Sequence, residues 1–446
     1  MKKFAPILFI LLLCSFNSWS QKIKYEDSIE KAERLSMVQN KVLCILITMQ
    51  PPAHVTNFLS GLKDPAVVTK FNENFINYTI DRADTISRKI IRKYKVVGFP
   101  AFIFVDSKGG LMFKKFGSMP PPILLSMADE AIAAGKGKSL IDFEKQYASG
   151  DRSTGFMRDY INKRISAGIT SNAELIEQYT NNLYIKDLDN YGQVLFILKA
   201  GPLADGRAYS LAHSNKKIID SIFKTELFDV RVNINNRIIE NTMASAVAAK
   251  NITRAYASAN YLRNSWNSDR LQGQKNHSRK MLQYHQQVKD TSNYLRAAGQ
   301  HYDQYYMNIS VDSIRRLDQK TAEREKSRVN EQAARDMPPG GGIRSVSYAF
   351  PSSTFAMELN NGAYSIFESG TKNAVFLSKA MLWSKRSIEL SPNSASYDTL
   401  SHLLYRLGFY TESETTQVKA LELARTEKQN VKHLQDEFVK IKNRTL

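Results

Sequence analysis

The apolar pattern of the chain changes once, near residue 137, and this change constrains the fold more than any other feature of the sequence. From Tyr25 to Gly135, short apolar runs of strand length alternate with amphipathic helical segments, which is typical of an α/β domain. Beyond Gly137 the apolar residues recur at helical spacing. A chain of 446 residues also exceeds what one hydrophobic core ordinarily organises. The sequence therefore predicts an α/β domain followed by an all-α region.

Individual elements of the α/β part can be read from local signals. The run KVLCILIT, residues 41–48, has the length and continuous apolar character of a strand buried on both faces. Asp64 can cap a helix that begins at Pro65. The turn-forming segment DSKGG joins AFIFV, residues 101–105, to LMFKKF and predicts a β-hairpin at the sheet edge. The predicted order is helix, strand, helix, strand, helix, strand, strand, helix.

Two stretches of this part resemble the thioredoxin family. KVVGFPAFIFVDSKGG, residues 95–110, is similar to the family segment in which a cis-proline precedes two antiparallel strands, with Pro100 as that proline. LKDPAVVTKFNENFINYTID, residues 62–81, resembles the family's second helix and third strand. The resemblance implies a thioredoxin-like fold, a central mixed sheet flanked by helices, over residues 21–137.

The sequence departs from the family where the redox CxxC motif would stand. Matching from both sides places Gln50, Pro51, Pro52 and Ala53 on its four positions. Thiol–disulfide exchange needs a thiolate nucleophile and a second thiol for release, and neither Gln50 nor Ala53 supplies one. We therefore predict no catalytic residue and no redox activity. Cys44 lies inside an apolar strand, so we interpret it as a core residue.

The resemblance also implies a peptide-binding site, because the cis-proline loop of the redox-active family holds a substrate strand through backbone hydrogen bonds. The residues carried over to such a groove are Gln50, Pro51, Pro52, Ala53, His54, Phe99 and Pro100. Two interpretations stay open at this point: the groove is retained, or these residues only close the fold. His54 has no Ser, Cys or carboxylate partner in its loop, so we interpret it as a surface histidine.

Residues 138–336 predict a helical domain of paired helices. Met157, Ile161 and Ile165 recur at four-residue steps, and Ser171 with Glu174 predicts a capping box. Tyrosines at helical spacing in this region predict packing between helices: Tyr284, Tyr294, Tyr302, Tyr305 and Tyr306. The segment MPPGGG, residues 337–342, has two prolines and three consecutive glycines and predicts a linker over 337–345.

The stretch YDTLSHLLYRLGFYTESETTQVKALELA, which begins at Tyr397, is similar to a tetratricopeptide repeat. The residues on the motif's helix-packing and turn positions are Tyr397, Leu400, Leu404, Gly408, Tyr410 and Ala420. Ser413 and Gln417 depart from the apolar residues that the family prefers there. The resemblance implies a tetratricopeptide-like (TPR-like) helical array over residues 346–446, whose concave surface binds segments of other proteins.

The first twenty residues predict a secretory signal that is cut before Gln21. A basic start is followed by the apolar run from Ile7 to Leu13 and by small residues at Ser18 and Ser20. No later run reaches 18 apolar residues, so we expect a periplasmic or secreted protein that does not span the membrane. Cys14 would leave with the signal, and a single remaining cysteine forms no internal disulfide.

The charge balance is strongly basic. The formal net charge is +19, and removal of Lys2 and Lys3 with the signal leaves +17. Such a surplus favours polyanions, although it is also explained by solubility alone. The sequence contains no nucleic-acid motif, no metal-binding histidine spacing and no cofactor motif.

Taken together, the sequence predicts an exported, redox-inactive protein-binding or scaffold module whose partners are other envelope proteins or peptides. The alternative is a thioredoxin-family oxidoreductase or isomerase relative that works with the cysteines of a partner.

Overall fold

A computed structural model describes residues 22–49, 59–117, 119–135, 137–266, 268–335 and 350–446, without the side chains of residues 328–335. The chain divides into two compact units, residues 1–241 and 242–446. The predicted linker at 337–345 lies outside the described residues, and the predicted domain borders stay predictions.

The first unit begins with a five-stranded mixed sheet. Its strands are β1 (Tyr25–Glu26), β2 (Val42–Thr48), β3 (Phe75–Asp81), β4 (Ala101–Val105) and β5 (Leu111–Phe116). The order in the sheet is β1-β3-β2-β4-β5. Strands β1, β3 and β2 pair in parallel, and β4 is antiparallel to both β2 and β5. The helices around the sheet are α1 (Ile29–Gln39), α2 (Pro65–Asn74), α3 (Thr85–Tyr94) and α4 (Pro121–Gly135).

Both faces of the sheet are covered because alternate residues of each central strand point to opposite sides. On β2, Ile45 packs with residues of α1 and α3. The neighbouring Cys44 packs with residues of α2 and α4. The predicted fold class of this part, a central mixed sheet flanked by helices as in thioredoxin, is confirmed by this topology.

Local signals of the sequence account for most of these elements. Asp64 caps α2, since its carboxylate accepts the N–H groups of Ala66 and Val67 at 2.9 and 3.2 Å. The predicted hairpin is present as β4 and β5. The two-residue strand β1, which the predicted order omits, pairs Tyr25 and Glu26 with β3.

The outer strand β5 carries two lysines whose ammonium groups are engaged with neighbouring helices. Lys114 Nζ donates to the carbonyls of Tyr94 and Lys95 at 2.9 and 3.2 Å, at the end of α3. Burial and the nearby Lys95 lower the pKa of Lys114. Lys115 Nζ lies 3.2 Å from a carboxylate oxygen of Glu130 on α4.

The rest of the first unit is helical. Its helices are α5 (Leu140–Ala148), α6 (Thr154–Ser166), α7 (Ala173–Thr180), α8 (Tyr191–Ala200), α9 (Arg207–Ala212), α10 (Lys216–Thr225) and α11 (Phe228–Ala248), with a 3₁₀ turn at Ile185–Asp189. The division between the two units falls within α11.

The predicted capping box at Ser171 and Glu174 is wrong. Helix α7 begins at Ala173 with Asn172 as the preceding residue, and Asn172 makes no capping bond. Its side chain instead accepts the Nε–H of Arg164 at 2.7 Å and donates to the carbonyl of Ile169 at 2.8 Å.

The second unit continues with helices alone among its described residues. They are α12 (Ile252–Asn264), α13 (Arg270–Gln287), α14 (Thr291–Tyr302), α15 (Val311–Arg335), α16 (Pro351–Glu368), α17 (Ala374–Leu390), α18 (Ser394–Arg406), α19 (Tyr410–Thr426) and α20 (Lys432–Lys442), with a π-helical turn at Asp303–Met307. The all-α region of the predicted fold class is confirmed. Among the described residues, no helix combines the length and apolar character needed to cross a bilayer.

The five tyrosines of this region are buried, as predicted. Tyr302 packs on Trp383 with ring centroids 4.8 Å apart. The indole N–H of Trp383 donates to Asp303 at 2.9 Å, and Lys379 pairs with the same carboxylate. These contacts fix the π-helical turn against α17.

Helices α16 to α19 form two successive pairs, α16 with α17 and α18 with α19, and α20 then packs on α19. Gly408, with φ +87°, makes the tight turn between α18 and α19. Ser413 and Gln417, the two polar departures from the repeat pattern, are both buried. Ser413 exchanges hydrogen bonds with Ser401, and Gln417 Nε2 donates to Asp398 at 2.7 Å, so hydrogen bonds replace apolar contact between the helices.

Candidate functional site

The strand registers bring three chain segments to one end of the sheet. Thr48 at the end of β2 lies opposite Asp81 at the end of β3, and Ile47 lies opposite Ala101 at the start of β4. Pro100 directly precedes Ala101, so it lies at the same end of the sheet as Thr48. The carboxyl ends of parallel strands are a common place for binding sites in α/β folds.

The predicted cis-proline is present at this end of the sheet. The Phe99–Pro100 peptide bond is cis, and Pro100 is buried. The carbonyl of Pro100 accepts the N–H of Gly117 at 2.8 Å. Within the described part of the chain, the N–H and carbonyl of Phe99 make no backbone hydrogen bond. The backbone of an extended peptide at this position could accept a hydrogen bond from the Phe99 N–H and donate one to the Phe99 carbonyl.

Two side chains that sequence reasoning missed flank Phe99. The guanidinium of Arg82 lies 4.7 Å from the centroid of the Phe99 ring, within the range of a cation–π contact. The backbone N–H of Arg82 donates to the carbonyl of Thr48 at 2.8 Å, which fixes this residue at the strand ends. Val97, two residues before Phe99, is 85% exposed. No local sequence signal identifies either residue, because the exposure of Val97 and the approach of Arg82 to Phe99 follow from the strand registers.

The other predicted residues, Gln50, Pro51, Pro52, Ala53 and His54, lie outside the described residues. The chain on both sides of them is described. Met49 follows β2, and Leu59 precedes a 3₁₀ turn at Ser60–Lys63. A Cβ added to Gly61 in this turn would lie 2.5 Å from the carbonyl oxygen of Met119, so the turn packs directly on the chain that leads into α4.

Cys44 is held away from this end of the sheet. It lies four residues before the end of β2, about 13 Å along the strand at 3.3 Å per residue. The residue is only 3% exposed, and burial raises the pKa of its thiol well above the ordinary value. The interpretation of Cys44 as a core residue is confirmed.

The carboxylates at the strand ends are engaged in local turns. Asp81 accepts the N–H of Ala83 at 2.8 Å, and Asp84 caps α3 by accepting the N–H of Ile86 at 2.8 Å. Within the described ranges, no group of three or more His, Cys, Asp and Glu side chains could hold a metal ion. The described chemistry at this end of the sheet is therefore a backbone donor and acceptor, an aromatic ring, a guanidinium and an exposed valine.

The fold and the cis-proline end of the sheet define a thioredoxin-like domain. Two solved structures resemble part of the chain. A thioredoxin from Thermus thermophilus is 19% identical, with 26% of this chain and 92% of that chain covered and a TM-score of 0.23. A DsbH oxidoreductase is 16% identical, with 25% and 85% covered and a TM-score of 0.21. No protein-family model and no curated protein matches the chain.

Proposed function

We propose that this protein is a redox-inactive, protein-binding or scaffold module whose thioredoxin-like domain binds extended polypeptide at the cis-proline end of its sheet. The observation that carries the proposal is the free N–H and carbonyl of Phe99 beside the buried Pro100, among the described residues. The exposed Val97 and the Arg82–Phe99 pair add apolar and cationic contact area for a bound chain. Binding of this kind needs no thiol.

The helical second unit supports a binding role as well. Its paired helices from α16 to α19 favour a TPR-like array, which binds partner segments on its concave surface. In this proposal the two units take different segments of partner proteins, and the partners are other envelope proteins or peptides. Two weak sites on one chain raise the overall affinity when both are engaged.

The predicted signal at residues 1–20 supports placing the protein in the periplasm or outside the cell. A charge of +17 on the exported chain further supports contact with envelope polyanions. The competing proposal is an oxidoreductase or isomerase relative that works through the cysteines of a partner, which the thioredoxin-like fold favours.

Peptide binding can be tested with labelled, reduced and carboxymethylated lactalbumin, which is an unfolded chain without free thiols. Fluorescence anisotropy should show saturable binding to the wild-type protein. Val97→Asp places a charge beside Phe99 and should weaken this binding about tenfold, a loss of about 1.4 kcal/mol. The matched control is Val38→Asp on α1, because Val38 is 77% exposed and lies away from the strand ends.

Equal binding by the Val97→Asp and Val38→Asp proteins would contradict the proposed site. Redox activity is tested separately by reduction of insulin with dithiothreitol, in which we expect no acceleration by the wild-type protein. Turnover that persists in Cys44→Ala would instead support the competing oxidoreductase proposal.

A further inference from the structure

The antiparallel helices α12 and α13 form the most basic hairpin of the second unit. Between residues 250 and 289 the sequence has a single acidic residue, Asp269. The basic residues of the same stretch are Lys250, Arg254, Arg263, Arg270, Lys275, Arg279, Lys280 and Lys289. This hairpin therefore carries a positive potential that favours anions.

A surface pocket of about 490 Å³ lies at the tip of the hairpin. It is lined by Arg263, Asn264, Trp266, Arg270 and Gln274. The lining thus joins two guanidinium groups, two side-chain amides and an indole, and it includes no carboxylate. Within the described residues, neither Arg263 nor Arg270 has a carboxylate within ion-pair distance.

The backbone around this pocket is closely packed. A Cβ on Gly273 would lie 2.8 Å from the carbonyl oxygen of Arg263 and 3.3 Å from Cβ of Trp266. The N–H of Asp269 donates to the carbonyl of Trp266 at 3.0 Å, and the Asp269 carboxylate caps α13 by accepting the N–H of Gln272 at 2.9 Å. The Asp269 carboxylate is therefore engaged in capping α13. The close contact at Gly273 holds together the end of α12 that carries Arg263 and the start of α13 that carries Arg270.

Arg270 occupies a position that the helix dipole disfavours for a cation, which the capping carboxylate of Asp269 offsets in part. It is the first residue of α13, where the helix dipole favours negative charge and disfavours a cation. A second cation, Arg263, lines the same pocket. An anion between the two guanidinium groups would relieve both effects and accept charge-assisted hydrogen bonds.

Trp266 adds a feature that a simple anion does not use. Its side chain is 41% exposed at the pocket, although a large aromatic residue is ordinarily buried to a greater extent. An indole face offers a flat apolar platform, and the amides of Asn264 and Gln274 offer both donors and acceptors. The combination fits a ring that carries hydroxyl groups and one acidic group.

We propose that this pocket binds an anionic sugar, in which Arg263 and Arg270 hold a phosphate or carboxylate while Trp266 stacks on the ring. Asn264 and Gln274 hydrogen-bond the hydroxyl groups. The site lies in the second unit and takes a carbohydrate, so it goes beyond the peptide binding proposed for the thioredoxin-like domain.

The test is a titration of the full chain with glucose 6-phosphate, followed by tryptophan fluorescence. Of the other two tryptophans, Trp19 lies in the predicted signal and would be absent from the exported chain, and Trp383 is 1% exposed, so the exposed Trp266 should dominate a ligand-induced change. We expect saturable quenching that is lost in Trp266→Phe. Glucose, which lacks the anion, and inorganic phosphate, which lacks the ring, should each bind at least about tenfold more weakly, since each loses one set of contacts.

Two double variants that remove the same charge distinguish specific binding in this pocket from general attraction of an anion to a basic protein. Arg263→Gln with Arg270→Gln should weaken glucose 6-phosphate binding at least about tenfold. Arg315→Gln with Arg316→Gln removes the same charge from exposed positions on α15 and should change binding less than about twofold.

Three results would overturn the proposal: no saturable quenching, equal losses in the two double variants, or inorganic phosphate binding as tightly as glucose 6-phosphate. Equally tight binding of inorganic phosphate would show that the pocket binds the anion and does not recognise the sugar ring. None of these results bears on binding of unfolded lactalbumin, so failure here and failure of the peptide-binding proposal are distinguishable.

Discussion

Cys44 belongs to the same apolar cluster as Phe71 and Phe104, on the face of the sheet that α2 and α4 cover. Its thiol is therefore a packing group, and thiol chemistry at the strand ends would need cysteines at other positions. The resemblance to thioredoxin names those positions as Gln50 and Ala53. Whether the family's shape has been kept around them is a question that two substitutions can answer.

Gln50→Cys combined with Ala53→Cys should create reductase activity in an otherwise inactive protein. The expected result is accelerated insulin precipitation with dithiothreitol, because the variant would then have a nucleophilic thiol and a resolving thiol at the two positions that the resemblance assigns to the CxxC motif. Gln50→Cys alone is the control, since one thiol attacks but does not release the mixed disulfide. A folded double variant that stays inactive would show that the match of residues 50–53 to the CxxC motif is wrong.

Single residues with local signals were predictable, and residues that meet through the sheet were not. Asp64 caps the helix that follows it, and Cys44 is buried by its own strand, so neighbouring residues decide both outcomes. Arg82 and Phe99 are 17 positions apart and come together only through the registers of β2, β3 and β4. Nothing in either local sequence encodes that register.

At the scale of elements, the close packing of α14 on α16 depends on a glycine. A Cβ on Gly362 would lie 2.3 to 2.7 Å from ring atoms of Tyr302, which is nearer than atoms approach without displacement. Tyr302 in turn packs on Trp383, which limits how far the ring can move away from an added methyl group.

Gly362→Ala should destabilise the second unit by about 1 to 3 kcal/mol, because the added methyl group overpacks this contact. Gly299→Ala is the matched control in the same unit. Gly299 also lies inside a helix, but the nearest atom to its added Cβ is 3.8 Å away, and alanine should stabilise that helix by about 0.5 to 1 kcal/mol. Urea unfolding measures the change in stability for both variants. Similar effects of the two substitutions would contradict the tight packing of Gly362 on Tyr302.

The last helix, α20, is attached through a buried carboxylate. Glu437 Oε2 lies 3.3 Å from His402 Nε2 on α18, and Lys440 Nζ donates to Glu437 at 2.8 Å. On its other side His402 Nδ1 lies 3.6 Å from Asp398. Burial disfavours the charged form of Glu437, but the bonds from Lys440 and His402 prevail and hold its pKa below the ordinary 4.5.

A carboxylate whose pKa is lowered by folding stabilises the protein above its unfolded pKa and stops doing so as the pH falls. Glu437→Gln should therefore cost about 1 to 2 kcal/mol at pH 7, and the difference from wild type should shrink below about pH 4.5. Glu422→Gln, which breaks an exposed pair with Lys419, should cost under about 0.5 kcal/mol at either pH. The test is to measure urea unfolding midpoints of the three proteins from pH 7 to pH 3.5. A stability loss for Glu437→Gln that does not change with pH would contradict the proposed role of the Glu437 carboxylate.

Elements long enough to show a periodic pattern of apolar residues were predicted, and shorter elements were not. Strand β1 has two residues, too few for alternation, and exists because β3 offers it a parallel partner. The predicted cap at Ser171 was wrong because α7 begins at Ala173, one residue later than a cap at Ser171 requires. Arg164 donates hydrogen bonds to the Ser171 carbonyl and to the Asn172 side chain, and local sequence does not reveal these contacts.

For the whole molecule, the separate cores of the two units have a thermodynamic consequence. The sheet of the first unit has its own apolar clusters, and another surrounds Trp383 in the second unit. A unit with an apolar core of its own can unfold as a cooperative transition of its own, and we expect this of both units although α11 runs across the division between them.

Calorimetry should therefore resolve two transitions. Ile45→Val, in the sheet core, should lower only one of them by an amount that corresponds to about 0.5 to 1.5 kcal/mol, and Gly362→Ala should lower only the other. A single transition that both substitutions shift equally would contradict the independence of the two units.

The change of periodicity near residue 137 was enough to predict an α/β part followed by helices, because layer architecture follows from which faces are apolar. The pairing of distant helices was not predictable. Gly362 and Tyr302, for example, are in contact but lie 60 positions apart, and the sequence around each residue does not indicate the other as its neighbour.

Both edges of the sheet are poor templates for further strands. On one side β1 offers only two residues, and on the other β5 carries Lys114 and Lys115, and lysines on an edge strand disfavour edge-to-edge pairing. Copies of the protein should accordingly resist edge-to-edge polymerisation into fibrils even when concentrated. If the proposed peptide binding is correct, an extended partner segment should bind at the strand ends beside Phe99 and not at an edge of the sheet.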